Sequence, residues 1–282
     1  MEEIIRGRKT IRTIRYCIYC GVSGTREKLS KEHIIPFSLG ADAVLKEASC
    51  SDCARITRGF EHHVARNIYG DHRIHRGVQT RHPEQRPTTL PLRVIRGGIE
   101  TSYDLPISNH LYFQSVPVWA APGYMRDALP QIEFEGLNAH LYWHVPDNIR
   151  ETLGIGPRDI VEVRPNAVNV DANQFGRALA KFAYCHAIGA LGYGSFAPLD
   201  LQELILGRYP YISYYVGSDL SLPPPPVRDG PEHEITLLEV PIRGERVLWS
   251  KIRLFAKDGT RDRGMPIYAV IIGKRAATQA QP

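Results

Sequence analysis

The chain has 282 residues, enough for one large domain or two and for a substantial hydrophobic core. With 43% hydrophobic and 23% charged residues and no low-complexity tract, the composition excludes a disordered or fibrous chain, and no run approaches the apolar length of a membrane span. The formal charge of +5 is uneven: residues 1–96 carry 18 Lys+Arg against 10 Asp+Glu, and the remainder 17 against 20. A polyanionic partner would therefore meet the first third of the chain. The opening Met1–Arg6 is too charged for a secretory signal, and four of the five cysteines fall in closely spaced pairs, so a reducing cytoplasm is the expected compartment.

Residues 6–16 mix basic and apolar positions, as in a short strand or an arm lying on phosphate. Cys17-x-x-Cys20 follows, and Cys50-x-x-Cys53 comes after an interval of 29 residues. Two such hooks offer four thiolates to one tetrahedral Zn²⁺. The interval is long enough for a two-stranded hairpin with a wide loop, and it contains Glu32-His33 followed by Pro36. Adjacent strand residues face opposite ways, so Glu32 and His33 can serve different partners. A neutral imidazole suits deprotonation of water near pH 7, and a carboxylate suits a hard divalent cation such as Mg²⁺ or Mn²⁺.

Cys17-x-x-Cys20, Glu32-His33-x-x-Pro36, Leu39-Gly40 and Cys50-x-x-Cys53, followed by a basic helix, resemble the HNH endonucleases of the ββα-metal nuclease superfamily, over roughly residues 10 to 80. The resemblance implies that Glu32-His33 ends a first strand, that residues 34 to 43 form a loop, that Val44-Leu45 lie on a second strand, and that residues 51 to 68 form a helix across both. It implies structural zinc on Cys17, Cys20, Cys50 and Cys53, His33 as general base, and Glu32 as ligand to a separate catalytic ion. The chain departs from the pattern where many members have His or Asn directly after the last cysteine, here Ala54, and Asn on the second strand, here Leu45 with Asp42 nearby. Positions 54, 57/58, 61 and 65 share one helix face. Glu61 is thus the first candidate for the missing metal ligand, His62 the second and His63 the third, the plain alternative being a Glu61–Arg58 pair.

Arg55, Arg58, Arg66, Arg73 and Arg76 follow the second hook, with Arg81 and Arg86 beyond them. Arginines beside a phosphodiesterase centre suit phosphate contacts, DNA being expected before RNA, with weak sequence specificity because no base-reading module is visible. His72, His75 and His82 have no ligand spacing and read as solvated.

Pro83 to Pro91 reads as a linker to a second domain. The expected division is therefore 1–86, a zinc-stapled ββα-metal module, and 87–282, a mixed sheet-and-helix domain, giving an α+β protein. In the second part, strands are expected at 92–95, 111–119, 141–145 and 160–163. His140 and His144 on one strand would lie roughly 13 Å apart, too far for one metal. Asp171–Leu191 predicts a capped helix with Phe175, Leu179, Phe182, Ala183 and His186 on its buried stripe, His186 as a core residue and Cys185 as a buried thiol. Pro198–Leu206 predicts a second helix ended by Gly207, and Pro223–Pro226 a stiff connection. Three strands close the chain at 234–240, 246–255 and 266–272, with turns at Arg243-Gly244 and Lys257–Gly259. The tail 273–282 is expected to be disordered.

No catalytic constellation is visible beyond residue 87, and a protein partner or a homodimer through that region stays open. The leading reading is a metal-dependent endonuclease, with the context of a mobile element or antiphage system suggested by analogy alone. The alternatives are a zinc-stapled nucleic-acid-binding module without catalysis, and an interaction scaffold with a basic face.

Overall fold

The computed structural model describes residues 10–80, 82–164, 170–219, 223–227, 229–259 and 263–275. The order of elements is β1 (Thr10–Thr13), β2 (Ser30–His33), β3 (Val44–Ser49), α1 (Ser51–His63), a π turn (Val64–Ile68), α2 (Gly70–His75), β4 (Thr89–Arg96) and β5 (Ile99–Pro106). There follow β6 (Tyr112–Val118), β7 (Asn138–His144), α3 (Ile149–Thr152), β8 (Val161–Arg164), α4 (Ala172–Leu191), β9 (Phe196–Pro198) and α5 (Leu201–Leu206). The chain ends in α6 (Ile212–Tyr215), β10 (Val216–Asp219), β11 (Glu234–Ile242), β12 (Glu245–Arg253) and β13 (Ile267–Arg275). The architecture is mixed α+β, with several small sheets and few helices.

β2 and β3 pair antiparallel with His33 opposite Val44 and Glu32 opposite Leu45, and β1 adds a parallel strand to the far side of β3. β1 takes up part of the basic stretch 6–16; residues 6–9 lie outside the described residues. α1 starts directly after β3, with Cys50 at its N-cap, so the second hook is at once the end of a strand and the start of a helix.

α4 is the central helix. Asp171 caps it, its carboxylate accepting the backbone N–H groups of Asn173 and Gln174 at 2.9 and 3.1 Å. Every residue from Ala178 to Gly189 is buried. One side of α4 packs on α1, and other sides meet α5 and β13 of the sheet β10-β13-β12-β11, which β9 extends along β13. Polar ties support the packing: the Tyr184 hydroxyl and the Gln202 amide both donate to the Ile18 carbonyl, at 2.9 and 2.6 Å, holding the first hook against α4 and α5. The turn at Arg243-Gly244, with φ of 52° and 77°, joins β11 to β12 as a tight hairpin, as the sequence leads one to expect.

Four expectations need correction. Residue 86 does not end a core: one contiguous apolar cluster includes Ile18, Leu45 and Phe60 together with Trp119, Phe182, Ile188 and Val270. The separate small core, built on Leu92, Val94, Leu105, Leu111, Ile149 and Leu153, lies under the sheet β5-β4-β8. The expected linker is instead built structure: Pro83–Gln85 form a 3₁₀ turn, the Arg86 guanidinium donates to the Val78 carbonyl, and β4 begins at Thr89. His72 is not solvated. It is fully buried, with Nε2 2.9 Å from an Asp258 carboxylate oxygen and its ring edge-on to Phe255, and the half-buried His75 stacks on Tyr112 at 4.1 Å. Spacing within the chain could not signal these partners, which come from segments far along it; only His82 is exposed. Lastly, β13 runs on to Arg275, so residues 273–275 of the expected loose tail are strand, and 276–282 lie outside the described residues.

Because α4 covers the inner face of α1, a chain ending at residue 86 should lack a cooperative thermal transition even with zinc bound, while the full chain melts as a unit. A fragment 1–86 with a sharp melt by circular dichroism would show that the first third folds without α4.

The His233 imidazole makes stability depend on pH. Its Nε2–H donates to the Leu39 carbonyl at 2.7 Å and its Nδ1 accepts the Phe255 N–H at 3.1 Å, a pattern only the neutral ring can make. Burial lowers its pKa from 6.5 to about 4. A depressed histidine pKa favours the folded state above the unfolded pKa, and that contribution is lost as pH falls from about 6.5 toward 4. Thermal midpoints should drop across that window, and His233→Phe should flatten the drop while lowering the midpoint at pH 8.

Candidate functional site

Two chemical groupings meet on the β2–β3–α1 unit. In the first, the sulfurs of Cys17, Cys20, Cys50 and Cys53 all lie within 4.8 Å of one another, and Cys20 Sγ is 3.7 Å from Cys50 Sγ. Four thiolates at 2.3 Å from a tetrahedral Zn²⁺ would sit about 3.8 Å apart, so the cluster fits such an ion. All four cysteines are free thiols, and Cys17, Cys50 and Cys53 are buried. Burial pushes the Cys17 thiol up to about 11 and raises Cys53 too, the latter helped by the negative charge of Cys17. Buried thiols crowded in this way ionise together when a cation neutralises them. This cluster could hold a metal ion such as zinc.

The second grouping lines an open cleft of about 430 Å³ between the end of β2 and the exposed face of α1. Glu32, His33, Arg58, Glu61, His62, Arg66 and Arg73 all border it, with Ala54 at the expected helix-ligand position. Glu32 is buried, His33 half-buried and tilted against Phe37, and His62 exposed. The structure thus brings Glu61 beside Glu32, as the helix-face periodicity predicts.

What the sequence did not reveal is their partner. The Nζ of Lys181, on α4, lies 2.8 Å from Glu32 Oε1 and 2.7 Å from Glu61 Oε1, and its side chain is fully buried. It also donates to the backbone carbonyls of His33 and, at 3.4 Å, Ile34. Burial would lower the Lys181 pKa, but Glu32 and Glu61 outweigh it and raise the value. For Glu61 burial dominates and raises the pKa, against the opposing pull of Lys181. Glu61 thus pairs with Lys181, where the plain alternative had paired it with Arg58. A lysine in the middle of an apolar helical run is the signal that could have been read.

Other candidates fall outside the cleft. His63 is buried with both ring nitrogens engaged, Nδ1 with the Asn67 amide at 2.9 Å and Nε2 with the Asp171 N–H at 3.2 Å, so it is no metal ligand. Asp42 borders a different hollow of about 390 Å³, with His186, Glu232 and His233. Arg55 pairs with Asp52 at the exposed start of α1, and Arg76 pairs with Asp258 and Glu232. Arg73 stays in the cleft, anchored by its guanidinium on the carbonyls of Ser38 and Ala65. His140 and His144 share strand β7, as expected, with only His140 buried.

As to a divalent ion, Glu32, Glu61 and His62 do not form a closed ligand set like the cysteines, which are the group found among the described residues. The donor chemistry nonetheless fits Mg²⁺ or Mn²⁺: two largely buried carboxylates border one open cleft, which has room for water as further ligands. Comparison of the chain with protein-family models, curated proteins and solved structures finds no match. Among the described residues no helix is long and apolar enough to cross a membrane.

Purified protein should carry one zinc per chain through dialysis. Cys17→Ser or Cys50→Ser should lose it and lower the melting temperature by roughly 10 °C or more, since several kcal/mol of metal-linked stability go with it. Elemental analysis beside a thermal melt decides this; a stable, metal-free wild-type chain refutes it.

Proposed function

We propose that the cleft hydrolyses phosphodiester bonds in nucleic acid, as a metal-dependent endonuclease of the HNH type. One observation carries the reading: two imidazoles, two carboxylates and three arginines border a single open cleft beside a four-cysteine cluster. His33 would accept the proton of the attacking water, the contribution of a positioned general base. Glu32 and Glu61 would hold the divalent ion, with His62 in reach of the same cleft. When bound, that ion supplies hard positive charge at the phosphate oxygens. Arg58, Arg66 and Arg73 would take the flanking phosphates, which fixes register without reading bases and implies low sequence specificity. DNA is the first substrate to test, because a supercoiled plasmid reports a single nick.

One observation favours the non-catalytic reading, a zinc-stapled binding module: Lys181 already neutralises part of the carboxylate charge. Plasmid nicking with Mg²⁺ or Mn²⁺ separates the two. His33→Ala should slow nicking by roughly 10²–10⁴-fold while plasmid affinity and zinc content hold. Glu32→Ala and Glu61→Ala should give losses that added metal partly restores, with His62→Ala the weaker of the three. Wild-type rates from His33→Ala would end the nuclease reading.

A further inference from the structure

Lys181 is the one formally charged side chain in the buried run Ala178–Gly189. Its ammonium has four oxygens within 3.4 Å: one from each of Glu32 and Glu61, and the carbonyls of His33 and Ile34. These belong to three separate pieces of the site, namely the end of β2, the loop after it and the last turn of α1. No solvent reaches the ammonium, and the flanking residues of α4 are locked in the core, so it cannot swing away. Without a cation between them, two carboxylates brought together at this depth would repel and be driven apart.

We propose that Lys181 is a positioning residue of the cleft, which holds Glu32 and Glu61 side by side and fixes the strand end that carries His33. The inference rests on the reading of this cleft as a divalent-metal site. Lys181 lies against Oε1 of each carboxylate, so Oε2 is the oxygen each would offer an ion in the cleft both residues border. The trio keeps one net negative charge, so attraction for a divalent cation persists. Lys181 does not touch substrate; it acts through the residues that would. The arrangement also explains why the two carboxylates are contributed by the first third of the chain and their holder by α4.

The test uses full-length Lys181→Met, Glu61→Gln, and the double variant Glu61→Gln/Lys181→Met, with zinc content verified. In the first measurement, thermal melting, Lys181→Met should lower the midpoint more than Glu61→Gln does. The double variant should melt above Lys181→Met, because it removes the carboxylate left without its cation. A lysine that merely fills space would not be rescued by deleting a charge elsewhere. The second measurement is Mn²⁺ binding by titration calorimetry and electron paramagnetic resonance on the zinc-loaded chain, with Glu32→Gln marking the cleft site. Lys181→Met should weaken that site at least tenfold and slow nicking accordingly.

A double variant that melts no higher than Lys181→Met, or is equally unfolded, overturns the proposal. So does a folded Lys181→Met that binds Mn²⁺ as tightly as the unaltered chain, or more tightly. If the unaltered chain neither binds Mn²⁺ in the cleft nor nicks plasmid, the nuclease reading is lost. The order of melting temperatures then still decides whether Lys181 holds the two carboxylates together.

Discussion

A charged ammonium and two carboxylates lie almost wholly out of water at the meeting of β2, α1 and α4, and such burial is tolerated only when the charges satisfy one another. Desolvation costs several kcal/mol per ion, and deleting one partner of a buried pair typically costs about 3–5 kcal/mol. The arrangement is thus a poor source of net stability and a strong source of specificity. Only one docking of α4 on the β2–β3–α1 unit brings Nζ to both carboxylates. The apolar contacts around it, Phe60 and Leu45 on one side and Phe182 and Ile188 on the other, would tolerate small slips that the charges do not.

α1 is held at three heights. Cys50 and Cys53 fix its first turn in the thiol cluster, Glu61 is drawn to Lys181, and His63 accepts the N–H of Asp171, the residue that caps α4. The start of α4 and the end of α1 are therefore stapled together, while the start of α1 is stapled to the first hook. A helix restrained in this way makes a rigid wall, which a catalytic or phosphate-binding cleft requires more than it requires any single strong contact. It also shows why the cysteine cluster is too far along the helix to organise Glu61 unaided, and why a second restraint from elsewhere in the chain is needed.

Much of this was legible in the sequence because its causes are local. The paired cysteines, the facing of Glu61 by periodicity and the Asp171 cap follow from spacing of a few residues, and the strand ending at Glu32-His33 and the helix expected over 51–68 came with the resemblance those spacings carry. The failures share the opposite property. Lys181 reads as an ordinary helix residue until α1 is set against it, and the burial of His72 depends on Phe255 and Asp258 from the far end of the chain. The linker reading failed because prolines at 83, 87 and 91 suggested a break. Pro91 is in fact accommodated within strand β4, where it lies opposite Asp104. The hairpin β4–β5 was missed although Gly97-Gly98, at φ of 55° and 80°, is the pair such a turn favours.

Of the two sizeable hollows bordered by β2–β3 residues, electrostatics favours the arginine-lined one for an anionic substrate. The hollow at Asp42 is floored by Ile34, Ile35 and Ile235 and edged by Asp229 and Glu232, and its histidine His233 has both ring nitrogens committed to the backbone. Among the described residues, no arginine or lysine lines its wall. In the cleft, Arg58 and Arg66 are exposed and Arg73 rests on backbone carbonyls instead of a carboxylate. Burial lowers the pKa of Arg73, and Arg66 and Arg86 lower it further by repulsion. Like charges set close together are costly in the empty protein and favourable once an anion lies among them. The carboxylate pair points the other way, repelling a phosphate unless a divalent cation lies between. On the proposed reading, the two halves of the cleft would suit a phosphate and a metal ion taken together, and each would be poorly suited to its ligand without the other.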